Sequence, residues 1–153
     1  MSQNNTEVKK RTKQAIEAFE LYLNLFPAST NADKALIYIG ELQEKLVEKA
    51  YLNAKLYFDL GNYLGNNYKS AVIASENCLK EYPDTKYREE LSFLILKAKY
   101  IQAVNSVDLK LEERYRDTID EYYSFVNDFP ESKHSKEAIK MFEDSEKALT
   151  RFN

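Results

Sequence analysis

Three prolines, each directly after an aromatic residue, divide this chain into similar segments. Pro27, Pro83 and Pro130 each end a stretch in which apolar side chains recur every three or four positions. That spacing predicts a helix with one apolar face. Proline cannot continue a helix, and it disfavours the α conformation of the residue before it. Each stretch is therefore predicted to be a helix that ends near its aromatic residue.

The three stretches agree position by position when they are counted from their prolines. A small side chain stands twelve residues before the proline, a β-branched one eleven before it, and an aliphatic one four before it. Two residues after each proline comes a hydroxyl side chain, which is suited to N-cap the next helix. In that order the residues are Ala15, Ala71 and Thr118; Ile16, Val72 and Ile119; Leu23, Leu79 and Val126; and Ser29, Thr85 and Ser132.

The residues between the prolines also have helical spacing. We predict one helix over about 31–61, roughly 45 Å long at 1.5 Å per residue, although a break near Val47 to Lys49 is the alternative. The glycines of the segment from Gly61 to Asn67 favour a turn before a helix from Tyr68 to Tyr82. Another helix is predicted over about 85–105.

This pattern resembles the second helix of a tetratricopeptide repeat, which has a small residue twelve positions before its terminal proline and a large one eight before it. Phe19 and Tyr122 fit the second rule, whereas Ser75 departs from it. The prolines are 56 and 47 residues apart, against a usual period of about 34. The resemblance implies an all-α fold, a tetratricopeptide-like α-solenoid of antiparallel helix pairs with lengthened helices.

We expect a single helical domain over residues 1–153. Because the first helix comes without a partner helix, and stacked repeats bury their faces against neighbours, we expect an open apolar face and a chain that is a fragment of a longer protein. The expected parts are the second helix of one repeat over about 6–27, repeats over about 31–83 and about 85–130, and a closing helix over about 132–151.

Charge and hydropathy exclude several classes of function. Lys and Arg number 22 against 25 Asp and Glu, so the chain lacks the basic excess that general nucleic-acid binding requires. No stretch approaches the roughly 18 apolar residues of a membrane-spanning helix, and direct membrane insertion is not expected. The single cysteine, Cys78, excludes an internal disulfide and a cysteine-based zinc site.

Few residues are candidates for catalysis or metal binding. The only histidine, His134, lies in a polar run near a predicted helix start, and we expect it to be an exposed structural residue. Cys78 is expected to be a buried, inert thiol. With no nucleophile beside a base, no metal-ligand spacing and no phosphate loop, we expect no enzyme, cofactor or metal. The acidic groups Glu89 and Glu90, Glu112 and Glu113, and Asp117, Asp120 and Glu121 are expected on solvated helix faces with ion pairs.

Aromatic residues are unusually frequent, with twelve Tyr and eight Phe. Most fall on the apolar faces, where packing between helices accounts for them. Tyrosine is also enriched at interfaces, so residues with a less certain place in the core are candidates for partner contact. They are Tyr63, Tyr68, Tyr87 and Tyr123.

The order of segments is similar to that of the C-terminal repeats of the BamD family, lipoproteins of the outer-membrane β-barrel assembly machinery. The similarity covers residues 13 to about 150. Asn62 to Asn66 departs from the family as an insertion. The segments that carry the resemblance are Ala15 to Phe19, Phe26 to Ser29, Leu42 to Glu48, Ala54 to Phe58, Gly61, Ala71 to Thr85 and Glu89 to Leu91.

This resemblance implies a non-catalytic scaffold that docks on the POTRA domains of the barrel-forming subunit BamA and contacts other assembly subunits. Tyr57 aligns with an aromatic position beside the family's docking surface. A basic position that pairs with an acidic residue of BamA falls on Ala74, so that contact is lost, made differently, or moved to Lys69 or Lys80. Tyr68 and Arg88 are expected close by.

The resemblance also implies a location. The intact protein is expected at the periplasmic face of the outer membrane, held by a lipid anchor that this piece lacks. Two other functions remain open: an unrelated tetratricopeptide adaptor, cytoplasmic or periplasmic, that binds a partner peptide, and the helical scaffold of a longer enzyme.

Overall fold

The computed structural model describes residues 2–152, which form six α-helices and a short 3₁₀ turn and contain no strand. The all-α prediction is therefore confirmed. The elements are α1 (Ser2–Leu25), α2 (Ala32–Leu60), α3 (Asn67–Glu81), α4 (Arg88–Val104), α5 (Asp108–Asp128), α6 (Ser135–Leu149) and the 3₁₀ turn Thr150–Phe152.

The proline positions agree with the observed helix ends. Helices α1, α3 and α5 each end two residues before a proline, as their sequences predict. Helix α2 runs unbroken for 29 residues, so the preferred single helix over about 31–61 is confirmed and the alternative break near Val47 is not found.

The hydroxyl residues Thr85 and Ser132 lie two residues before the observed N-caps, which are Tyr87 for α4 and His134 for α6. The hydroxyl oxygen after each proline accepts a backbone N–H, but the donor is the residue two positions on, at 3.2, 3.2 and 3.0 Å. The next helix then begins three residues after the hydroxyl, at Ala32, Arg88 and Ser135. The expected N-caps are therefore wrong in register, because the hydroxyls stabilise the turn that leads into the helix.

Gly61 ends α2 in a left-handed conformation. Its φ is +53°, and its N–H donates to the carbonyl oxygens of Tyr57 and Phe58. Glycine adopts this conformation without the steric cost that a Cβ brings. The loop then passes into α3, which Asn66 caps by accepting the Lys69 N–H at 3.2 Å.

Contacts divide the chain into two compact units, residues 1–49 and residues 50–153. In the N-terminal unit the buried apolar side chains are Ile16, Ala35, Ile39 and Leu46. In the C-terminal unit α4 packs against α3, α5 and α6. The clusters there are Ala54, Cys78 and Leu91; Val72, Ile95 and Ala98; and Phe93, Leu96, Phe125, Ala138 and Met141.

Three hydroxyl side chains are buried inside this helical packing. Ser75, Thr118 and Ser145 have no exposed surface, and each donates to the carbonyl oxygen four residues earlier at 2.6–2.8 Å. A buried hydroxyl is tolerated only when it is hydrogen-bonded, and the helix backbone supplies the acceptor. Ser75, which departs from the large residue of the repeat pattern, is satisfied in this way.

Candidate interaction surfaces

The three proline turns have the same hydrogen bonds. In each turn the N–H of the aromatic residue donates to the carbonyl four residues back, and the N–H of the hydroxyl residue donates to the aromatic carbonyl. A third bond joins the N–H three residues further on to the carbonyl of the hydroxyl residue. All nine N···O distances lie between 2.8 and 3.2 Å. The repeated sequence therefore produces one repeated local structure.

The residues around each proline are here called a copy, and Pro27, Pro83 and Pro130 mark the first, second and third copies. The fourth residue after each proline is called the stacking position. In two of the three copies its ring stacks on the ring of another helix. Tyr87 stacks on Tyr51 of α2, with ring centroids 4.3 Å apart and planes 6° apart. His134 stacks on Phe93 of α4 at 4.0 Å and 8°. In both copies the ring lies on the helix two before its own. The first copy has Asn31 at this position.

His134 is not the exposed residue that the sequence predicted. Only 20% of its side chain is exposed, and its Nε2 lies 3.2 Å from Oε2 of Glu90. The other oxygen of Glu90 lies 2.5 Å from Nζ of Lys133. The prediction is wrong because a polar run in sequence does not show that a distant helix covers one of its members.

The Glu90 carboxylate is the charged centre of this group. The hydrogen bond from Lys133 is the largest effect on its pKa, which lies below the ordinary value although partial burial acts in the opposite direction. His134 lowers the pKa further. The same hydrogen bond raises the pKa of Lys133. This ion pair joins the turn before α6 to the first turn of α4.

The remaining candidates for chemistry lie partly where they were expected. Cys78 is 2% exposed, which confirms a buried thiol. Glu112 pairs with Arg116 on one helix face at 2.8 Å. Glu121, by contrast, pairs between helices with Lys99 at 2.5 Å. Among the described side chains, those of residues 6–107 and 109–152, no cluster of three His, Cys, Asp or Glu is arranged to hold a metal ion.

A basic cleft of about 310 Å³ lies between α3, α4 and α5. The Lys99 ammonium is held by Glu121, and the Arg114 guanidinium donates to Oγ of Ser106 at 2.6 Å. Lys69 and Lys110 are exposed at the cleft. Its lining comprises the basic residues Lys69, Lys99, Lys110 and Arg114, the acidic residues Glu113 and Asp117, and Gln102, Val72 and Ile73.

The residues expected to touch a partner have different surroundings. Lys69 lines the basic cleft, and Lys80 is exposed in the last turn of α3. Arg88, at the start of α4, pairs with Asp128 at 2.9 Å.

The other three expected contact residues are partly buried. Tyr68 packs edge-on against Phe58 with centroids 5.5 Å apart. Ala74 packs against the cluster that contains Ala54, and Tyr57 is half-buried on α2. Of the six residues, Lys69, Lys80 and Arg88 are therefore the exposed ones.

The four tyrosines without a certain place in the core divide evenly. Tyr63 and Tyr123 are 68% and 54% exposed. Tyr68 and Tyr87 are partly buried by ring contacts with Phe58 and Tyr51. Tyr63 and Tyr123 therefore keep the exposed area that a partner contact needs.

A second surface, here called the N-terminal groove, lies between α1 and α2 in the N-terminal unit. Its volume is about 610 Å³, and its lining is mostly apolar. The α1 wall consists of Ala15, Ala18, Phe19 and Tyr22. The α2 wall consists of Asn31, Lys34, Ala35 and Tyr38.

Sequence reasoning anticipated an open apolar face on the first helix but did not identify the residues of either surface. The cleft combines Lys69 with Lys110 and Arg114, which lie more than 40 positions further along the chain. No short motif joins them. The residues of the groove could have been identified from the sequence, because they stand at regular distances from Pro27.

Comparisons with known proteins do not assign this chain to a family. It matches none of the protein-family models against which it was scanned, and no significantly similar sequence was found among curated proteins. In the part of the chain from residue 2 to residue 152, no helix combines the length and apolar character needed to cross a membrane.

Proposed function

We propose that this chain is a non-catalytic scaffold of tetratricopeptide-like helix pairs that docks on another protein, as the C-terminal repeats of the BamD family do on BamA. The observation that carries the proposal is the repetition of one turn, with the same three hydrogen bonds, at Pro27, Pro83 and Pro130. Repeated helix pairs give an extended surface that suits protein binding. The setting we propose is the periplasmic face of the outer membrane.

The burial pattern supports the repeat interpretation. Eight residues after each proline lies a fully or nearly buried apolar side chain, namely Ala35, Leu91 or Ala138, at most 4% exposed. The stacking position contributes a second shared contact in two copies. Packing of α4 against both α5 and α6 supports helix pairs that contact the next pair.

The basic cleft is the surface we assign to BamA. Family resemblance requires a basic group for an acidic residue of the partner, and Ala74 at the corresponding position carries no charge. Lys69 lies five residues earlier on α3, is exposed, and shares the cleft with Lys110 and Arg114. The cleft therefore favours Lys69 over Lys80 as the replacement, because four basic residues outnumber two acidic ones in its lining.

Calorimetry with the POTRA domains of BamA from the same organism tests this proposal. We expect saturable binding that weakens as salt is added, because charge pairs at the rim of an interface are screened. Lys69→Glu is expected to weaken binding roughly three- to tenfold. The matched control is Lys140→Glu, which makes the same charge change at an exposed position of α6.

Two results would contradict parts of the proposal. If the folded chain does not bind POTRA domains at high micromolar concentration, the BamD-like function is wrong and the adaptor alternative becomes the better one. If binding occurs but Lys69→Glu and Lys140→Glu reduce it equally, the docking surface lies outside the basic cleft.

A further inference from the structure

The N-terminal groove repeats a surface that is covered by a helix elsewhere in the same chain. Its lining residues stand twelve, nine, eight and five positions before Pro27 and four, seven, eight and eleven positions after it. The later copies carry residues at the same distances from Pro83 and Pro130. What lies over those residues indicates what fits the groove.

In the third copy α4 covers the equivalent surface. The Phe93 ring contacts Phe125, five positions before Pro130, with centroids 5.6 Å apart. It also stacks on His134, four positions after the proline. Leu96 joins the same cluster together with Ala138, eight positions after the proline.

Ion pairs flank this apolar contact. Lys99 reaches Glu121, nine positions before Pro130, at 2.5 Å. Lys97 reaches Glu137, seven positions after it, at 2.7 Å. The covering helix therefore places an apolar stripe in the middle of the surface and charged groups at its edges.

In the second copy α2 covers the equivalent surface. Ala54 packs with Cys78 and Leu91, which stand five positions before and eight positions after Pro83. Tyr51 of the same helix stacks on Tyr87 at the stacking position. Two independent copies thus show the same arrangement.

The two covering helices have a common sequence pattern. An aromatic residue is followed by an apolar residue three positions on, a lysine four positions on and another aromatic residue seven positions on. This spacing puts the aromatic and apolar residues on one helix face. The residues are Tyr51, Ala54, Lys55 and Phe58 in α2, and Phe93, Leu96, Lys97 and Tyr100 in α4.

From this equivalence we infer that the N-terminal groove binds an amphipathic helix of a partner polypeptide with the same aromatic and apolar spacing but an acidic residue in place of the lysine. The residues of the groove explain why the occupant should carry a negative charge where α2 and α4 carry a lysine. Seven positions after the proline the third copy has Glu137, which pairs with Lys97, whereas the first copy has Lys34. An acidic residue at the lysine position of the occupant complements Lys34.

The chain's own last helix does not fit this description. Counted from its proline, α6 has Lys140, Glu143 and Lys147 where α4 has its aromatic and apolar residues, and all three are exposed. Placing α6 of a second copy in the groove would bury charged groups against Phe19 and Tyr38. Head-to-tail pairing of two copies is therefore disfavoured.

This inference rests on the repeat arrangement in the proposed function and adds a partner class at a second surface. Its test does not involve POTRA domains, so the two proposals fail separately. The probe is a synthetic peptide of residues 88–104, blocked at both ends and carrying Lys97→Glu. The α4 sequence is chosen because the first copy resembles the third, which α4 covers, in side-chain size at the apolar positions. The equivalent pairs are Phe19 and Tyr122, Tyr22 and Phe125, and Ala35 and Ala138.

Titration of the full chain with this peptide is expected to give saturable binding. Ala18 stands nine positions before Pro27, where the third copy has Glu121 paired with Lys99 of α4. Ala18→Lys therefore puts a positive charge opposite Lys99 of the peptide and is expected to weaken binding at least tenfold. Asn24→Lys, at an exposed α1 position outside the lining, adds the same charge and is expected to leave binding unchanged. Absence of saturable binding, or equal binding by the two variants, overturns the inference.

A charge swap tests the orientation of the helix. The wild-type chain is expected to prefer the Glu-substituted peptide over the native-sequence peptide by roughly two- to fivefold, which is the size of a partly exposed ion pair. Lys34→Glu is expected to reverse this preference. A preference that Lys34→Glu leaves unchanged overturns the assigned orientation and the acidic position with it.

Thiol labelling distinguishes the other possible occupants. With Cys78 buried, Ala18→Cys provides the reactive thiol, and we expect rapid labelling that the peptide slows. Protection that increases with protein concentration would mean that a second copy fills the groove. Protection at every concentration without peptide would mean that the chain covers the groove itself. Either result overturns the assignment to a partner helix.

Discussion

Glycine at position 61 shows how a single backbone conformation ends the longest helix. At a φ of +53° an L side chain is strained, and an added Cβ would also lie 2.8 Å from the hydroxyl oxygen of Tyr68. Gly40, in the middle of the same helix, has no atom within 4 Å of the equivalent point. Gly40, inside α2, and Gly61, directly after it, are therefore expected to respond oppositely to substitution by alanine.

We predict that Gly61→Ala lowers the free energy of unfolding by about 1–2 kcal/mol, chiefly through the left-handed backbone. Gly40→Ala is predicted to raise it by up to about 1 kcal/mol, because alanine is the better helix former. Urea denaturation followed by circular dichroism measures both changes. Equal effects of the two substitutions would contradict the distinction.

The Glu90 carboxylate gives stability a dependence on pH. Its pKa is lower in the folded chain than in the unfolded one, chiefly because Lys133 donates to it, so the folded state holds the charged form more favourably. Its contribution is present above the ordinary carboxyl pKa of 4.5 and is lost as the pH falls through the lower folded value.

We predict that Glu90→Gln lowers stability at pH 7 and that the difference from the wild type shrinks as the pH falls from about 5 to 3. Denaturant unfolding at a series of pH values measures this difference. A difference that stays constant over the range would show that the charge of Glu90 does not contribute.

At the scale of elements, ring stacking ties the start of one helix to the helix two before it. His134 on Phe93 and Tyr87 on Tyr51 have nearly the same geometry although the ring types differ. The shared feature is a flat ring at the stacking position, four residues after the proline. Two aromatic rings in contact are worth about 0.5–1.5 kcal/mol beyond the area they bury.

Substitutions at His134 test the stack. We expect His134→Ala to cost about 1–2 kcal/mol of unfolding free energy, since the stack and the contact with Glu90 are both lost. His134→Tyr places the residue type of the preceding copy on Phe93, and we expect it to recover at least half of that loss. Thermal unfolding of the two variants measures both losses of stability. If His134→Tyr loses as much stability as His134→Ala, the contact between the imidazole and the Glu90 carboxylate, and not the ring stack, stabilises the fold.

At the scale of the whole molecule, burial is concentrated in the C-terminal unit. Helix α4 has six buried side chains among 17 residues, whereas Ile16 is the one buried residue among the described side chains of α1. Helices that bury little apolar surface open locally at low free energy. In the repeat arrangement that we propose, each helix pair also depends on its neighbours for burial.

We predict that backbone amides in α4 exchange hydrogen slowest and those in α1 fastest. Hydrogen exchange followed by mass spectrometry measures this order along the chain. Binding of the helical probe peptide is expected to slow exchange in α1 and in residues 32–38 while leaving α5 unchanged. Uniform protection across α1 and α4 in the chain alone would contradict the prediction.

The sequence by itself determined the all-α class, the helix ends at Pro27, Pro83 and Pro130, the unbroken α2 and the burial of Cys78. These features depend on proline geometry, apolar spacing and side-chain size, which act within a few residues of each other. The regular distances from the prolines also determined which residues are equivalent between copies.

Only the tertiary structure decided which residues from different helices meet. The stacking of His134 on Phe93, the Glu90–Lys133 pair and the joining of Lys69 with Lys110 in one cleft each bring together residues about 40 positions apart. Such contacts depend on how helices pack, and many packings are compatible with one apolar face. For the same reason the expected exposure of His134 was wrong, and the residues of the N-terminal groove became known only when the helices were placed.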